Sequence, residues 1–255
     1  MSPMKPIVQT EAFVLSTKDY GESDRLITFY TRREGKLRGV AKGARKSRKR
    51  FANVFEPCSL VDLSYRARGA LTWIEACKLL EPHGELRMDI ERWAYAALLC
   101  EIMLEMLPEG DPQEELFSLF QRVLERLSYD ADPLNVVMLF FLRFMDMAGL
   151  LPSLDVCHIC KQPLKAHPIW WWRIEEGVLF CREHNTGGGG EALRLDAGSM
   201  VVIQQARGAP IEKMWRFHFR QDKKEHLFHA LVAWATGHIH KELKSLKLLK
   251  QLRST

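Results

Sequence analysis

Apolar and polar positions alternate in short runs over the first eighty or so residues. Ile7 to Leu15 alternates in part, Leu26 to Thr31 is β-branched and aromatic, and Lys36 to Lys42 carries Leu37 and Val40. Ser59 to Tyr65 alternates again, and Leu71 to Ala76 follows a turn at 66–69. Gly, Asp and Pro separate the runs. Five short strands in about 75 residues predict a small antiparallel barrel, for which the OB-fold is a common solution. An SH3-like barrel has a similar strand count, so the pattern leaves both open.

The period changes after Glu81-Pro82-His83-Gly84. Ile90 to Leu107 is apolar almost all round, which predicts a buried helix stopped by Pro108 and Gly110. Asp111-Pro112 predicts the cap and first residue of a second helix ending near Ser128, and Asp132-Pro133 opens a third that runs to Gly149. A short helix is expected over Ala197 to Ala206 and a longer one over Asp222 to His240. The predicted class is α+β and multidomain. A barrel occupies 1–81, an α-helical domain 82–150 and 191–255, and a Cys- and Trp-rich module 151–190 is inserted between the two helical parts.

That module carries the most specific chemistry. Cys157 and Cys160 form one corner; twenty residues later Cys181 and His184 form another. Paired corners at this spacing predict a zinc ribbon or knuckle. The segments 168–174 and 178–180, turned at Glu175-Glu176-Gly177, form the hairpin that would bring the corners together. Four protein ligands leave no open position, so the Zn²⁺ is expected to be structural, one per chain. His158 and His167 are nearby competitors outside the paired corner. Trp170 and Trp172 share one face of the hairpin and Trp171 the other. The choice is between stacking on bases and packing on the helices, and packing is favoured. Gly187 to Gly190 lacks the GxxxxGK[ST] pattern and reads as a connection, not a phosphate loop.

Charge changes the picture of the third strand. The net charge of the 255 residues is only +5, yet 32–50 holds ten Lys or Arg among 19 residues against one acid, Glu34. Such a concentration suits an anionic partner, nucleic acid first and a membrane surface second. Lys36, Arg38, Lys42, Arg45, Lys46, Arg48, Lys49 and Arg50 are the expected phosphate contacts. The last segment, if helical, is basic and amphipathic, with Lys241, Lys244, Lys247, Lys250 and Arg253 at intervals of three. It reads as a solvated face, a nucleic-acid contact, or a contact for an acidic partner tail.

Other classes fall away. The N-terminal residues contain no apolar core of a secretory signal. The most apolar segment, Trp93 to Leu107, is too short and carries Glu101 and Glu105, so no membrane span is expected. Six cysteines without an export signal argue for reduced thiols and a cytoplasmic protein. Cys58, Cys77 and Cys100 lie in apolar contexts and are expected in the core. GxSxG, HExxH and GxGxxG are absent. Asp19, Glu22 and Asp24 leave a metal-dependent nuclease open, although they read more simply as a polar turn. No enzymatic activity is expected.

Three stretches then carry a resemblance. They are Tyr20-Gly-Glu-Ser-Asp-Arg-Leu-Ile-Thr-Phe-Tyr30, Gly35-Lys-Leu-Arg-Gly-Val-Ala-Lys-Gly-Ala-Arg45 and Phe55-Glu-Pro57. Together with the cysteine module and Leu243-Lys-Ser-Leu-Lys247, they resemble the bacterial recombination mediator family RecO, in the right order over most of the chain. The resemblance implies an N-terminal OB-fold, a helical domain and a zinc module. It implies binding of single- and double-stranded DNA, annealing of complementary strands, and loading of RecA with RecR. It also implies contact with the acidic C-terminal tail of the single-stranded-DNA-binding protein, for which Lys241, Lys244 and Lys247 are candidates. His184 stands where a zinc-bearing member has a fourth cysteine, an exchange that Zn²⁺ accepts. The competing reading is a protein adaptor with DNA secondary.

Overall fold

The computed structural model describes residues 6–47, 50–68, 71–151, 153–173, 176–186, 192–239 and 241–253. The chain divides into two compact units, one of residues 1–129 with 243–255 and one of residues 130–242.

In the first unit five strands close a barrel: β1 (Val8–Tyr20), β2 (Asp24–Thr31), β3 (Gly35–Ala41), β4 (Leu60–Arg68) and β5 (Leu71–Glu81). Their order is β1-β2-β3-β5-β4, and β3 meets β5 in parallel through Gly39↔Thr72 and Val40↔Trp73. This is the OB-fold order and separates it from the SH3-like alternative. The strands exceed the alternating runs because β1 serves two neighbours. Its first half pairs with β4 and its second half with β2, with a bulge between Val14 and Ser16. Ala12, Val14, Ile27, Phe29, Val61, Leu63 and Ile74 fill the interior. Phe51, Val54 and Phe55, from the β3–β4 connection, pack into the same core.

Two helices of this unit pack on the barrel's β1–β2 side: α1 (Ile90–Met106), capped by Asp89, and α2 (Glu114–Tyr129). Phe13, outward on β1, lies 4.9 Å from Phe117 and 5.0 Å edge-on from Phe120. Burying one such ring contributes roughly 1.5–3 kcal/mol. α2 starts at Glu114, two residues later than the Asp111-Pro112 signal predicted. The cause is that Glu109–Asp111 lies along β3: Gly110 N–H donates to the Lys36 carbonyl, and Lys36 and Glu109 form a β-bridge.

The second unit contains α3 (Pro133–Met147), capped by Asp132 as its Asp-Pro start predicted. It continues with β6 (Ile169–Arg173), β7 (Val178–Phe180), β8 (Ala192–Asp196), α4 (Ala197–Gly208), α5 (Ile211–Met214) and α6 (Gln221–Gly237). The expected hairpin exists but is the centre of a three-stranded sheet, β7-β6-β8. β8 was missed because the alternation of Leu193-Arg-Leu-Asp196 is too short to stand out directly before a helix. Residues 174–175, 187–191 and 240 lie outside the described residues, so part of the predicted turn, the glycine run and His240 do too. Trp170 and Trp172 are fully buried, as packing on the protein required. The last helix, α7 (Lys244–Arg253), belongs to the first unit and packs on α1. Glu101 of α1 caps it, accepting from the Lys244 and Ser245 N–H groups at 3.0 and 2.9 Å and from the Ser245 hydroxyl at 2.6 Å.

Two results should follow. Gly35 has φ +63°, and a Cβ there would lie 2.2 Å from the Asp111 carbonyl oxygen; Gly43 has φ +68° and open space. Gly35→Ala should therefore destabilise by about 2–4 kcal/mol and Gly43→Ala by about 1 kcal/mol in denaturant titrations. The second concerns His83, whose Nδ1 bonds the Cys58 carbonyl at 3.0 Å while Nε2 is buried without a partner. Burial holds its pKa below the ordinary value, against the pull of Glu81, the Cys58 carbonyl, Glu125 and Glu85. The unfolded chain then takes up a proton that the native ring resists. Stability present above about pH 6.5 is lost as pH falls, by at most about 1.4 kcal/mol per unit. His83→Asn, which tolerates the φ of 46°, should flatten that loss between pH 7 and pH 5 in unfolding midpoints.

Candidate metal centre and nucleic-acid interface

The two cysteine corners meet at one end of the β6–β7 hairpin. Cys157 donates its N–H to the Gln162 carbonyl and accepts from Lys161 N–H, closing a tight turn in which Lys161 takes φ 57°. The second corner turns in the same manner, with His184 and Asn185 N–H groups donating to the Cys181 carbonyl. His158 N–H donates to the Leu179 carbonyl at 2.7 Å, tying the first corner to the hairpin.

Sγ of Cys157, Cys160 and Cys181 and a ring nitrogen of His184 all lie within 4.8 Å of one another. His184 Nδ1 is 3.1 Å from Cys181 Sγ and 3.8 Å from Cys157 Sγ, and Cys160 and Cys181 Sγ are 3.9 Å apart. Metal–sulfur bonds of about 2.3 Å in a tetrahedron give S···S edges of about 3.8 Å. The four donors thus fit one tetrahedral ion, and all three thiols are free. Cys157 is prepared for ionisation. Burial opposes its thiolate, but N–H groups of Cys181, Cys160 and Ile159 outweigh that and bring the thiol down to about 6. Burial moves Cys181 the other way, upward. His158 and His167, the sequence competitors, are not in the cluster, and His167 instead bonds Gln162 at 2.6 Å. The cluster could hold a metal ion, and it is the only such group among the described residues.

The other cysteines are core residues. Cys58 and Cys100 Sγ atoms lie 3.4 Å apart and buried, and burial pushes Cys77 up to about 12. The acidic turn is occupied by its own neighbours. Asp19 sits 3.3 Å from Arg45, and Asp24 accepts from Gly43 N–H and the Ser23 hydroxyl, holding its carboxyl below the usual range. Asp19, Glu22 and Asp24 form no ligand cluster among the described residues.

The basic stretch is divided by the fold. Lys36 turns toward α1: its ammonium donates to the Leu104 carbonyl at 2.7 Å, and burial lowers its pKa. Arg38 is exposed but paired with Glu109 at 2.7 Å. Arg45 spans the β1–β2 turn, donating to the Gly21 and Glu22 carbonyls at 3.1 and 3.3 Å. Lys42, Lys46 and Arg50 are exposed, and Arg48 and Lys49 lie outside the described residues. Arg50 reaches back to the Lys42 carbonyl at 2.7 Å and brings its own charge alongside.

One residue was missed in the sequence. Trp73 is half-buried on β5, in register with outward Val40 of β3, and the Lys42 ammonium stands 4.0 Å from its ring centroid. The signal lay in Leu71-Thr-Trp-Ile-Glu75, where Trp73 alternates with the inward Ile74, but only the β3–β5 pairing brings it beside the basic strand. Lys241, Lys244 and Lys247 are exposed at the start of α7, while Leu243, Ser245 and Leu249 are buried.

Comparison with known proteins adds a family. The model for the N-terminal domain of recombination protein O matches residues 4–83, and that for its C-terminal domain matches 87–247. A DNA repair protein RecO of Syntrophobacter fumaroxidans is 51% identical over 247 residues, covering 97% of this chain and 98% of the relative. Proteins of the same name from Syntrophus aciditrophicus and Desulfosudis oleivorans are 36% and 32% identical, covering 96% and 97% of this chain and 96% and 99% of theirs. Described helices include none long and apolar enough to cross a membrane.

If the tetrad is the ligand set, Cys181→Ser and His184→Ala should each lower bound metal from about one per chain towards zero in elemental analysis. Both should also lower the melting temperature of the full chain, because metal binding supplies folding energy to a small sheet.

Proposed function

Since the chain belongs to the recombination protein O family of DNA repair proteins, we propose that it binds DNA without sequence preference, anneals complementary strands and acts as a recombination mediator. In this reading it works with RecR to load RecA onto strands covered by single-stranded-DNA-binding protein. The observation that carries it is the outer face of the barrel where exposed Lys42 stands over Trp73, with exposed Arg50 bonded to the Lys42 carbonyl and exposed Lys46 in the same connection. Cations there neutralise phosphates, and the indole offers a base a flat surface. Screening the repulsion between two phosphate chains is the physical step that annealing requires. Arg38 and Arg45 lie at the edges of this face, and Arg48 and Lys49, outside the described residues, add two cations to the same stretch of sequence. Lys36 contributes little, because its charge is spent on a helix carbonyl.

The metal in this reading is Zn²⁺, held by Cys157, Cys160, Cys181 and His184. Three thiolates and an imidazole form a soft tetrahedral set that suits it. The ion would supply rigidity and no chemistry at an open position.

Exposed Lys241, Lys244 and Lys247 support a second contact, with the acidic C-terminal tail of the single-stranded-DNA-binding protein. Pull-down of that partner should survive nuclease treatment and fall when the three lysines become alanine.

Lys42→Ala/Lys46→Ala should weaken oligothymidine binding about tenfold at low salt. It should also reduce the slope of log affinity against log salt by about 1.4. Trp73→Ala should cost about 1–3 kcal/mol with little change in slope. Wild-type affinity from both variants would refute the barrel face, and cleavage of labelled DNA in Mg²⁺ or Mn²⁺ would refute a purely binding role.

A further inference from the structure

Between α5 and α6 the chain reads Trp215-Arg-Phe-His-Phe-Arg220, aromatic and basic residues in strict alternation. Trp215 and Phe219 are buried, Phe217 is half-buried, and Arg216, His218 and Arg220 are exposed. Among the described residues no strand pairs with this segment. Its shape is held instead by one buried side chain, Asn135 on the first turn of α3. Asn135 Nδ2 donates to the Phe217 carbonyl at 2.9 Å, and Phe219 N–H donates to Asn135 Oδ1 at 3.0 Å. Bonding the carbonyl of one residue and the N–H two residues on is what a neighbouring residue of a parallel strand does. His218, between them, is therefore set as though in a strand.

The exposed groups have few acidic neighbours. Asp222 accepts from Arg220 Nε and a terminal nitrogen at 3.1 and 3.2 Å and sits 3.7 Å from Lys223. Both sides of that pair are more than half exposed, so a phosphate exchanges for it at little cost. Glu212 and Glu225 are the other exposed acids close in sequence, and each has a lysine beside it, Lys213 and Lys224. The Arg216 guanidinium lies 5.0 Å from the centroid of the Phe217 ring. An aromatic ring capped by a guanidinium is a stacking surface as well as a charge, which favours nucleobases over the carboxylates of an acidic peptide.

We propose that Arg216, His218 and Arg220, held by Asn135, form a second contact for single-stranded nucleic acid, separate in sequence from the barrel face. The inference rests on the nucleic-acid reading above, and it accounts for how one chain engages two strands during annealing. Arg216 and Arg220 take phosphates, His218 donates a hydrogen bond, and Phe217 meets a base.

The test uses the full chain with oligothymidine and a pair of complementary oligonucleotides. Arg216→Ala/His218→Ala/Arg220→Ala should bind a first oligonucleotide within about twofold of wild type but take up one instead of two. It should anneal at least about tenfold more slowly, with a salt slope shallower by about 1.4 from the loss of two arginines. Unchanged stoichiometry and annealing would overturn the proposal. A readout on the unaltered protein guards against a folding defect: a second equivalent of oligonucleotide should shield Arg216 and Arg220 from phenylglyoxal. No shielding, or shielding by oligoglutamate alone, overturns it. Failure of the barrel reading looks different. Lys42→Ala/Lys46→Ala would then retain both oligonucleotides, while the loss at Arg216 and Arg220 would remain.

Discussion

A small barrel has an outer wall all the way round, and Phe13 determines which part of it stays covered. Its ring sits between Phe117 and Phe120, so α2 closes over the outward side of β1 and β2. Tyr30 joins the same layer, stacked 6.1 Å from Phe117, and Arg32 lies over that ring at 4.2 Å. Van der Waals contact and water exclusion hold this layer together. Its consequence is that Lys42 and Trp73, at the β3–β5 closure, are left exposed and partly exposed.

The same packing sorts a continuous run of cations into two groups. Those at the start of β3 lie close to the helices and are answered by them. Lys36 finds the Leu104 carbonyl, and Arg38 finds Glu109 on the segment that delays α2. Of those past the end of β3, Arg45 is held by the β1–β2 turn, while Lys42, Lys46 and Arg50 are exposed to solvent. Mutual repulsion among Lys42, Lys46 and Arg50 is tolerable there because water screens it. A phosphate chain would relieve it further.

In the second unit, polar side chains do the work that an extended sheet would otherwise do. Asn135 stands in for a strand beside Phe217–Phe219, and Lys224, only 5% exposed, is neutralised by Asp132, the cap of α3. Cys157, Cys160, Cys181 and His184 come together from two turns that have few apolar side chains of their own. Trp172 and Trp170 supply the apolar side of the same hairpin, with Trp172 6.5 Å from Trp234. Aromatic burial on one side, and a Cys/His cluster that could hold a metal ion at the other end, flank a sheet whose β7 strand is only three residues long.

Local pattern alone determined the strand-rich start, the change to helices near Glu81, the Asp-Pro cap of α3 and the metal tetrad. Each depends on residues close in the chain, or on ligands so specific in type that spacing is enough. Contacts between distant segments lay beyond it. Asp111 was read as a cap because its neighbours are ideal for one, yet its backbone lies against Gly35. β8 has only four alternating residues of its own and is paired along the edge that β6 offers. Lys36 and Lys42 are equivalent as letters in a basic run. Only the pairing of β3 with β5, and the helix packed beside Lys36, buries one ammonium and places the other over Trp73. A charge's availability depends on what surrounds it in space, and a sequence states only what precedes and follows it.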